Sequence, residues 1–306
     1  MEPAVSDGDG IVPNLRELIA LRALVQGRRG AKRGRYGIQG HALSNQRGRG
    51  MEYAESREYA LGDDARHIDW RLTARSGKAH TKLFQAERER LTLVVADTAS
   101  SLYFGTRKRF KSVQAARAGA LAAWLAVRDG DRIAALRGST REPPVPAASG
   151  PRGALRVLDA LVRWYAAPPP DDAGLQAALE HAARLLRPGS RLLVLADPAS
   201  VAALPASTWA GLALHHDVTV LLLVDPLEQA PPAARLPFRI ADGARLVLGL
   251  DAQAVRARWH RAFGAQVETA VATLQRHGVR AMALASDAAS DAWLPLLDAP
   301  ATRGAA

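Results

Sequence analysis

"LTLVVADTASSLYFGT", residues 91 to 106, decides how the rest of the chain is read. Leu91 to Ala96 is a short, continuous apolar run, the pattern of a strand buried on both faces of a sheet. It stops at an acid, Asp97, and passes through small hydroxylated residues toward a helix spanning about Phe110 to Arg128 that ends at Gly130. A buried strand, an acid at its carboxyl end and a helix returning over the sheet make the unit from which open α/β sheets are built.

The same unit recurs outward from this point. "DRIAALRG" (131–138), "SRLLVLADP" (190–198), "DVTVLLLVDP" (217–226) and "VRAMALASD" (279–287) read as further strands, and two of them end in Asp-Pro. Helices are predicted around Ala154 to Tyr165 and Leu175 to Leu186, with "PPVPAASGPRG" a Pro- and Gly-rich loop before the first. "FRIADGARLVLGL" (238–250) reads as a hairpin turning at Asp242-Gly243. After Asp251 a long helix carries Val255, Trp259, Phe263, Val267, Val271 and Leu274 on one side. The fold class is α/β, doubly wound, with a mainly parallel sheet and an N-terminal extended arm. Residues 91–298 form one domain and 299–306 a flexible tail. Residues 1–50 comprise a disordered start, a short helix at 14–26 and a basic Gly/Arg-rich region. Residues 51–90 form a separate segment whose alternating end, "HTKLFQAERERLTLVV", predicts an extended arm or an extra strand pairing with the sheet.

Composition narrows the classes. Hydrophobic content of 48% and charged content of 23% belong to an ordinary globular chain. The apolar runs fall short of the roughly 20 residues a membrane helix needs, and the acidic start lacks the features of a secretory signal, so a cytoplasmic location is expected. The absence of cysteine excludes disulfides, thiolate zinc sites and cysteine nucleophiles. A formal charge of +11 invites a nucleic-acid reading. Yet only five of 41 basic residues are Lys in a chain rich in Ala, Leu and Gly, a profile that a GC-rich genome produces unaided. The basic stretch from 22 to 50 carries no aromatic beyond Tyr36 on which bases could stack, and nucleic acid is not the favoured partner.

Chemistry is sought where the strands end. Asp97, Ser100, Ser101 and Asp197 supply the hard oxygen ligands that suit Mg²⁺. The other acid-rich place is "REYALGDDARHIDWRLTARSGKAH" (57–80). Its Gly-Asp-Asp triplet also occurs in polymerase palms, where two carboxylates hold two metals. Here eight acids and eight basic residues between 51 and 90 balance, which favours an ion-pair network. Arg57, Arg66 and Arg75 are expected to clamp Asp63, Asp64 and Asp69, with Trp70 buried by a short helical turn. Walker loops, dinucleotide fingerprints and Ser-His-Asp order are absent from the sequence.

The stretch 48–84, with Glu52, Arg57, Tyr59, Gly62, Asp63, Asp64, Arg66, Ile68, Asp69, Trp70, Ala74 and Arg75 in a specific pattern, resembles the bacterial domain of unknown function 58 family, which is similar to the von Willebrand factor A fold. The resemblance implies an accessory protein without established enzymatic activity, working beside a MoxR-type AAA+ ATPase in remodelling or maturing other proteins. It also admits other von Willebrand A-like proteins as partners. Of the metal pattern common in that fold, Asp97 and Ser101 match, Ala99 replaces a serine, and Asp197 stands where the last acid belongs. The loop that would supply a threonine, "APPPDDAGLQAAL", offers Asp171 and Asp172 instead. The implied site is degenerate, with Mg²⁺ bound weakly or not at all and no other cofactor.

A non-catalytic adaptor is the leading expectation, acting through the signature and the rim around Asp97. "RKRFK" supplies a partner surface of Arg107, Lys108, Arg109 and Lys111, because basic residues at a helix start oppose its dipole and call for an acidic partner. The alternatives are a metal-dependent hydrolase using Asp63, Asp64, Asp97 and Asp197, and an anion-binding module using Arg28 to Arg35 and Arg107 to Lys111.

Overall fold

The computed structural model describes residues 10–27, 51–60, 62–86, 90–239 and 243–298, with the side chains of 51–55 and 83–86 outside the description. The expectations for residues 1–9, Arg28 to Arg35, the tail 299–306 and the Asp242 half of the hairpin turn lie outside the described residues. Two compact units emerge, one joining residues 1–32 to 90–306 and the other holding 33–89.

The larger unit opens with α1 (Leu15–Ala20) and α2 (Arg22–Gln26). Leu18, Leu21 and Val25 are buried in its core, Glu17 pairs with Arg117 at 3.1 Å, and Leu18 O accepts from Trp124 Nε1 at 2.9 Å. The region predicted as a short helix at 14–26 is two helices packed into the α/β unit. Six strands form the sheet in the order β10-β7-β6-β3-β4-β5. They are β3 (Leu91–Ala96), β4 (Arg132–Arg137), β5 (Val145–Ser149), β6 (Arg191–Ala196), β7 (Asp217–Val224) and β10 (Arg280–Ala285). All neighbours run parallel except β5, which pairs antiparallel with β4 at one edge. The mainly parallel, doubly wound arrangement is the predicted one. Strand β5 lies in the stretch predicted to be a loop, and its Pro146 is tolerated because an edge strand leaves one row of main-chain groups unpaired.

The sheet separates two cores. On one face Val94, Leu193, Leu195, Leu221 and Leu223 pack under α4 (Lys111–Asp129) and α5 (Gly150–Trp164). On the other, Leu93, Val95, Leu192, Val194, Val220 and Leu222 pack under α6 (Gly174–Leu185), α7 (Pro198–Ala202), α8 (Ala206–His215) and α11 (Gly264–Arg276). This alternation is the period-2 geometry of a pleated strand covered on both sides. Helix α4 is buried over most of its length, which explains why its "GALAAWLAV" run is apolar all round. Gly119 on α4 faces α5 at close range: a Cβ there would lie 2.8 Å from Leu161 Cδ1, and that side chain would have to shift to admit it. Helices α7 and α8 fill a gap in the predicted pattern.

Past β7 lie α9 (Pro226–Gln229), the hairpin β8 (Arg235–Arg239) and β9 (Arg245–Gly249), α10 (Gln253–Ala262), and finally α12 (Pro295–Asp298) beyond β10. The long helix predicted after Asp251 is two helices, divided at Phe263. Val267 and Leu274 reach the core, whereas Trp259 and Phe263 stack half-buried beside Phe238, with ring centroids 4.6 Å apart for Trp259–Phe263 and 5.6 Å for Phe238–Trp259. Among the described residues no helix is long and apolar enough to cross a membrane.

The smaller unit holds β1 (Met51–Glu58), α3 (Trp70–Ser76) and β2 (His80–Ala86). β2 pairs antiparallel with β1, and not with the main sheet as the alternation at 80–93 predicts. The arm is thus a small sheet of its own.

Candidate functional site

The signature folds by using its acids one at a time. Asp63 closes the turn after β1: Oδ1 accepts from Arg57 Nη2 at 2.7 Å, Oδ2 from Ala60 N at 2.9 Å, and its carbonyl from the Tyr59 hydroxyl at 3.0 Å. The Ala60 N–H, helped by Arg57, holds this carboxyl below the usual range. Asp64 Oδ1 accepts from Arg66 N at 3.0 Å and starts a single 3₁₀ turn over Ala65–His67. Asp69 caps α3, accepting from Leu72 N at 3.1 Å and Arg71 N at 3.2 Å, and from Ser56 Oγ at 3.3 Å. The Leu72 N–H leads in lowering its pKa. Gly77, at φ 71°, ends the helix in the left-handed conformation that suits glycine. Of the three predicted arginine clamps, Arg57 on Asp63 forms as a side-chain pair. Asp64 instead takes the main-chain N–H of Arg66, and Arg75 Nε donates to Arg71 O at 3.4 Å. Gly62 takes φ 105° in the turn, and the Glu52 side chain lies outside the described residues.

Trp70 corrects the sequence reading. It is the first residue of α3 and is 70% exposed. Arg66, Arg71 and Arg75 are exposed in the same unit. Exposed tryptophan and arginine are the residue types enriched at interface centres rather than in cores.

The second candidate region lies in the α/β unit, at the carboxyl ends of the parallel strands. Asp97 follows β3, Asp197 follows β6 and Asp225 follows β7; all three are buried. Asp97 ties two strand ends together, its Oδ2 accepting from Asp197 N at 3.0 Å and its Oδ1 from Ala99 N at 3.1 Å. Burial pushes its carboxyl above the ordinary value. Asp225 accepts from Leu227 N and Thr106 N, both at 2.9 Å, from Ser286 Oγ at 2.8 Å and from the Thr106 hydroxyl. Burial alone would raise its pKa, but these donors outweigh it and hold the carboxyl low. Thr98, beside Asp97, donates to Asp172 at 2.9 Å. Asp171 pairs with Arg137 at 2.7 Å. Ser100 and Ser101 are exposed in a 3₁₀ turn.

Lys111 overturns its assignment to a partner surface. It is the first residue of α4 and only 1% exposed. Its Nζ lies 2.7 Å from Glu228 Oε1 and 3.1 Å from Asp197 Oδ2. The acid that its position at a helix start calls for is within the chain. Burial raises the Glu228 carboxyl above its ordinary value despite the ammonium beside it. The rest of "RKRFK" precedes the helix. Arg109 reaches Gln114 Oε1 at 2.7 Å and Ala288 O at 3.0 Å, Lys108 is exposed, and Arg107 is 66% exposed with Asp287 at 3.5 Å.

These positions decide whether a divalent cation fits. Both Asp97 oxygens and one Asp197 oxygen (to Ala199 N, 2.9 Å) take main-chain donors, and the other Asp197 oxygen faces an ammonium. Ser101 is exposed and Ala99 offers no hydroxyl. The set does not fit a hard metal centre, which asks for several oxygens free to approach at about 2.0–2.1 Å. Among the described residues no group of three or more His, Asp or Glu side chains is arranged to hold a metal ion. Of the four carboxylates of the hydrolase alternative, Asp97 and Asp197 are engaged as described, Asp63 accepts from Arg57 and Ala60 N, and Asp64 accepts from Arg66 N. Glu228, Asp225, Thr106 and Ser286 belong to the site and are absent from the sequence reading. "DPLE" at 225–228 is a readable signal, since an acid three residues before Glu at a helix start marks a capping box, and that box forms here.

Comparison with known proteins matches residues 55–269 to a family described as "Protein of unknown function DUF58". "Uncharacterized protein Rv1480" of Mycobacterium tuberculosis and "Uncharacterized protein Mb1516" of Mycobacterium bovis are each 30% identical over 190 residues, covering 60% of this chain and 58% of the relative. The chain spans less than two thirds of the length of these curated relatives.

Proposed function

The chain belongs to the DUF58 family, and from that premise we propose that it is a non-catalytic adaptor that binds a MoxR-type AAA+ ATPase and takes part in remodelling or maturing client proteins. The observation that carries this reading is Trp70, held 70% exposed on a helix whose cap, turn and small sheet are built by the acids of the same signature. Tryptophan is one of the residue types most enriched among interface anchors, which suits a partner that covers it. Arg66, Arg71 and Arg75 describe that partner's site as an apolar pocket with an acidic rim.

The strand-end acids support the non-catalytic part. A general acid or base needs a side chain able to reach a substrate. Asp97, Asp197, Asp225 and Glu228 are each engaged by main-chain N–H groups, hydroxyls or Lys111. A von Willebrand A-like scaffold with an internally neutralised rim suits protein binding, and a cytoplasmic location accords with such a partner.

Co-precipitation of the purified chain with a MoxR-type ATPase from the same genome, with and without ATP at low salt, tests the reading. A complex in at least one nucleotide state is expected. Absence of a complex in both states contradicts it.

A further inference from the structure

We propose that the ammonium of Lys111 is a built-in cation that occupies the place of a divalent metal at the strand ends, so that this face of the protein is fixed without metal. The proposal goes beyond the adaptor reading and does not depend on it.

Four observations converge on it. A carboxylate from one strand end and one from α9 meet at one point, Asp197 after β6 and Glu228, and Asp97 after β3 is tied to this place by accepting from the main-chain N–H of Asp197. In an open parallel sheet this is where ligands bind, so an acidic cluster here is where a cation would be drawn. The point is filled by Lys111 Nζ, at 2.7 and 3.1 Å, which are distances of charge-assisted N–H···O bonds. The ammonium comes from the N-terminus of α4, where the helix dipole disfavours it, so its position is explained by the acids it meets and not by the helix.

The residues around this cluster show how metal ligation has been set aside. Ala99 lacks the hydroxyl that Ser101 has, and Ser101 is exposed. Thr98, the nearest buried hydroxyl in the loop, is directed to Asp172. An ammonium brings one positive charge and a fixed tether, whereas a divalent ion brings two and exchanges with solvent. Asp197 and Glu228 therefore share one fixed positive counter-charge at any metal concentration, and chelators should leave it intact.

Mn²⁺ is the probe, used on the full chain by calorimetry and by thermal melting. Wild type is expected to show no stoichiometric binding and no change in melting midpoint with Mn²⁺ or with a chelator. Lys111→Ser removes the ammonium while leaving Asp197 and Glu228, and this variant is expected to gain Mn²⁺-dependent stabilisation that the further change Asp197→Asn removes. If Lys111→Ser does not fold in buffer alone, refolding in Mn²⁺ is the readout, with recovery expected. Stoichiometric Mn²⁺ binding by wild type that Asp197→Asn abolishes would overturn the proposal. So would a Lys111→Ser variant whose stability or refolding is indifferent to Mn²⁺.

Discussion

At Lys111 a local rule and a distant contact act against each other, and the distant contact wins. A cation at a helix start opposes the macrodipole by about 0.3–1 kcal/mol. Removing one member of a buried ion pair costs about 3–5 kcal/mol, because the remaining charge is left without a partner. The opposing partners lie 86 and 117 residues away in sequence, so spacing rules have no view of them. Asp97 and Asp197 were legible because each ends an apolar run. Asp225 ends one too, and its role follows from donors on two distant loops, Thr106 and Ser286. Those donors make a pH prediction. Asp225 has a folded pKa below its unfolded value, so its contribution to stability is complete above about pH 4 and is lost as the pH falls through the depressed folded value. Asp225→Asn should lower the melting midpoint at pH 7 and narrow its difference from wild type as the pH falls toward 3. A difference independent of pH would contradict the assignment.

Among the elements, those with a clear hydrophobic period were legible: the four parallel strands beside β3, helices α4, α5 and α6, and the β8–β9 hairpin. Where tertiary context decides, the sequence was silent or misleading. β5 reads as a loop because of its Pro146 and the prolines and glycines flanking it, and it is an edge strand. β2 alternates as a sheet strand does, but alternation does not name the partner, which is β1. Trp70 reads as buried by a short helical turn, yet the turn forms with Trp70 as the first residue of α3 after the Asp69 cap, exposed to solvent. That cap makes a second prediction. Asp69→Asn keeps an acceptor for the Arg71 and Leu72 N–H groups and should melt within about a degree or two of wild type, whereas Asp69→Ala removes it and should fray α3. Amide hydrogen exchange over residues 70–76 is the measurement. Equal protection in the two variants would mean that the cap does not hold the helix.

Over the whole molecule, the chain carries two devices in two units: a signature unit whose acids build a platform for an exposed tryptophan, and an α/β unit whose strand-end acids are neutralised from within. Both place carboxylates where main-chain N–H groups, hydroxyls or basic side chains of the same unit satisfy them. The fold of the larger unit was legible from one strand and its repeats. The content of the site was not, because it depends on which acids meet which donors across the sheet. The central claim is that Trp70 is the contact residue for an ATPase partner. It is tested most directly by measuring the affinity of the MoxR-type ATPase for wild type and for Trp70→Ala, with the melting curve of each variant recorded alongside. The account predicts a loss of affinity of roughly tenfold or more, as expected for a truncated interface tryptophan, with an unchanged melting midpoint because the side chain is 70% exposed. Unchanged affinity of Trp70→Ala in a complex that wild type forms would contradict it.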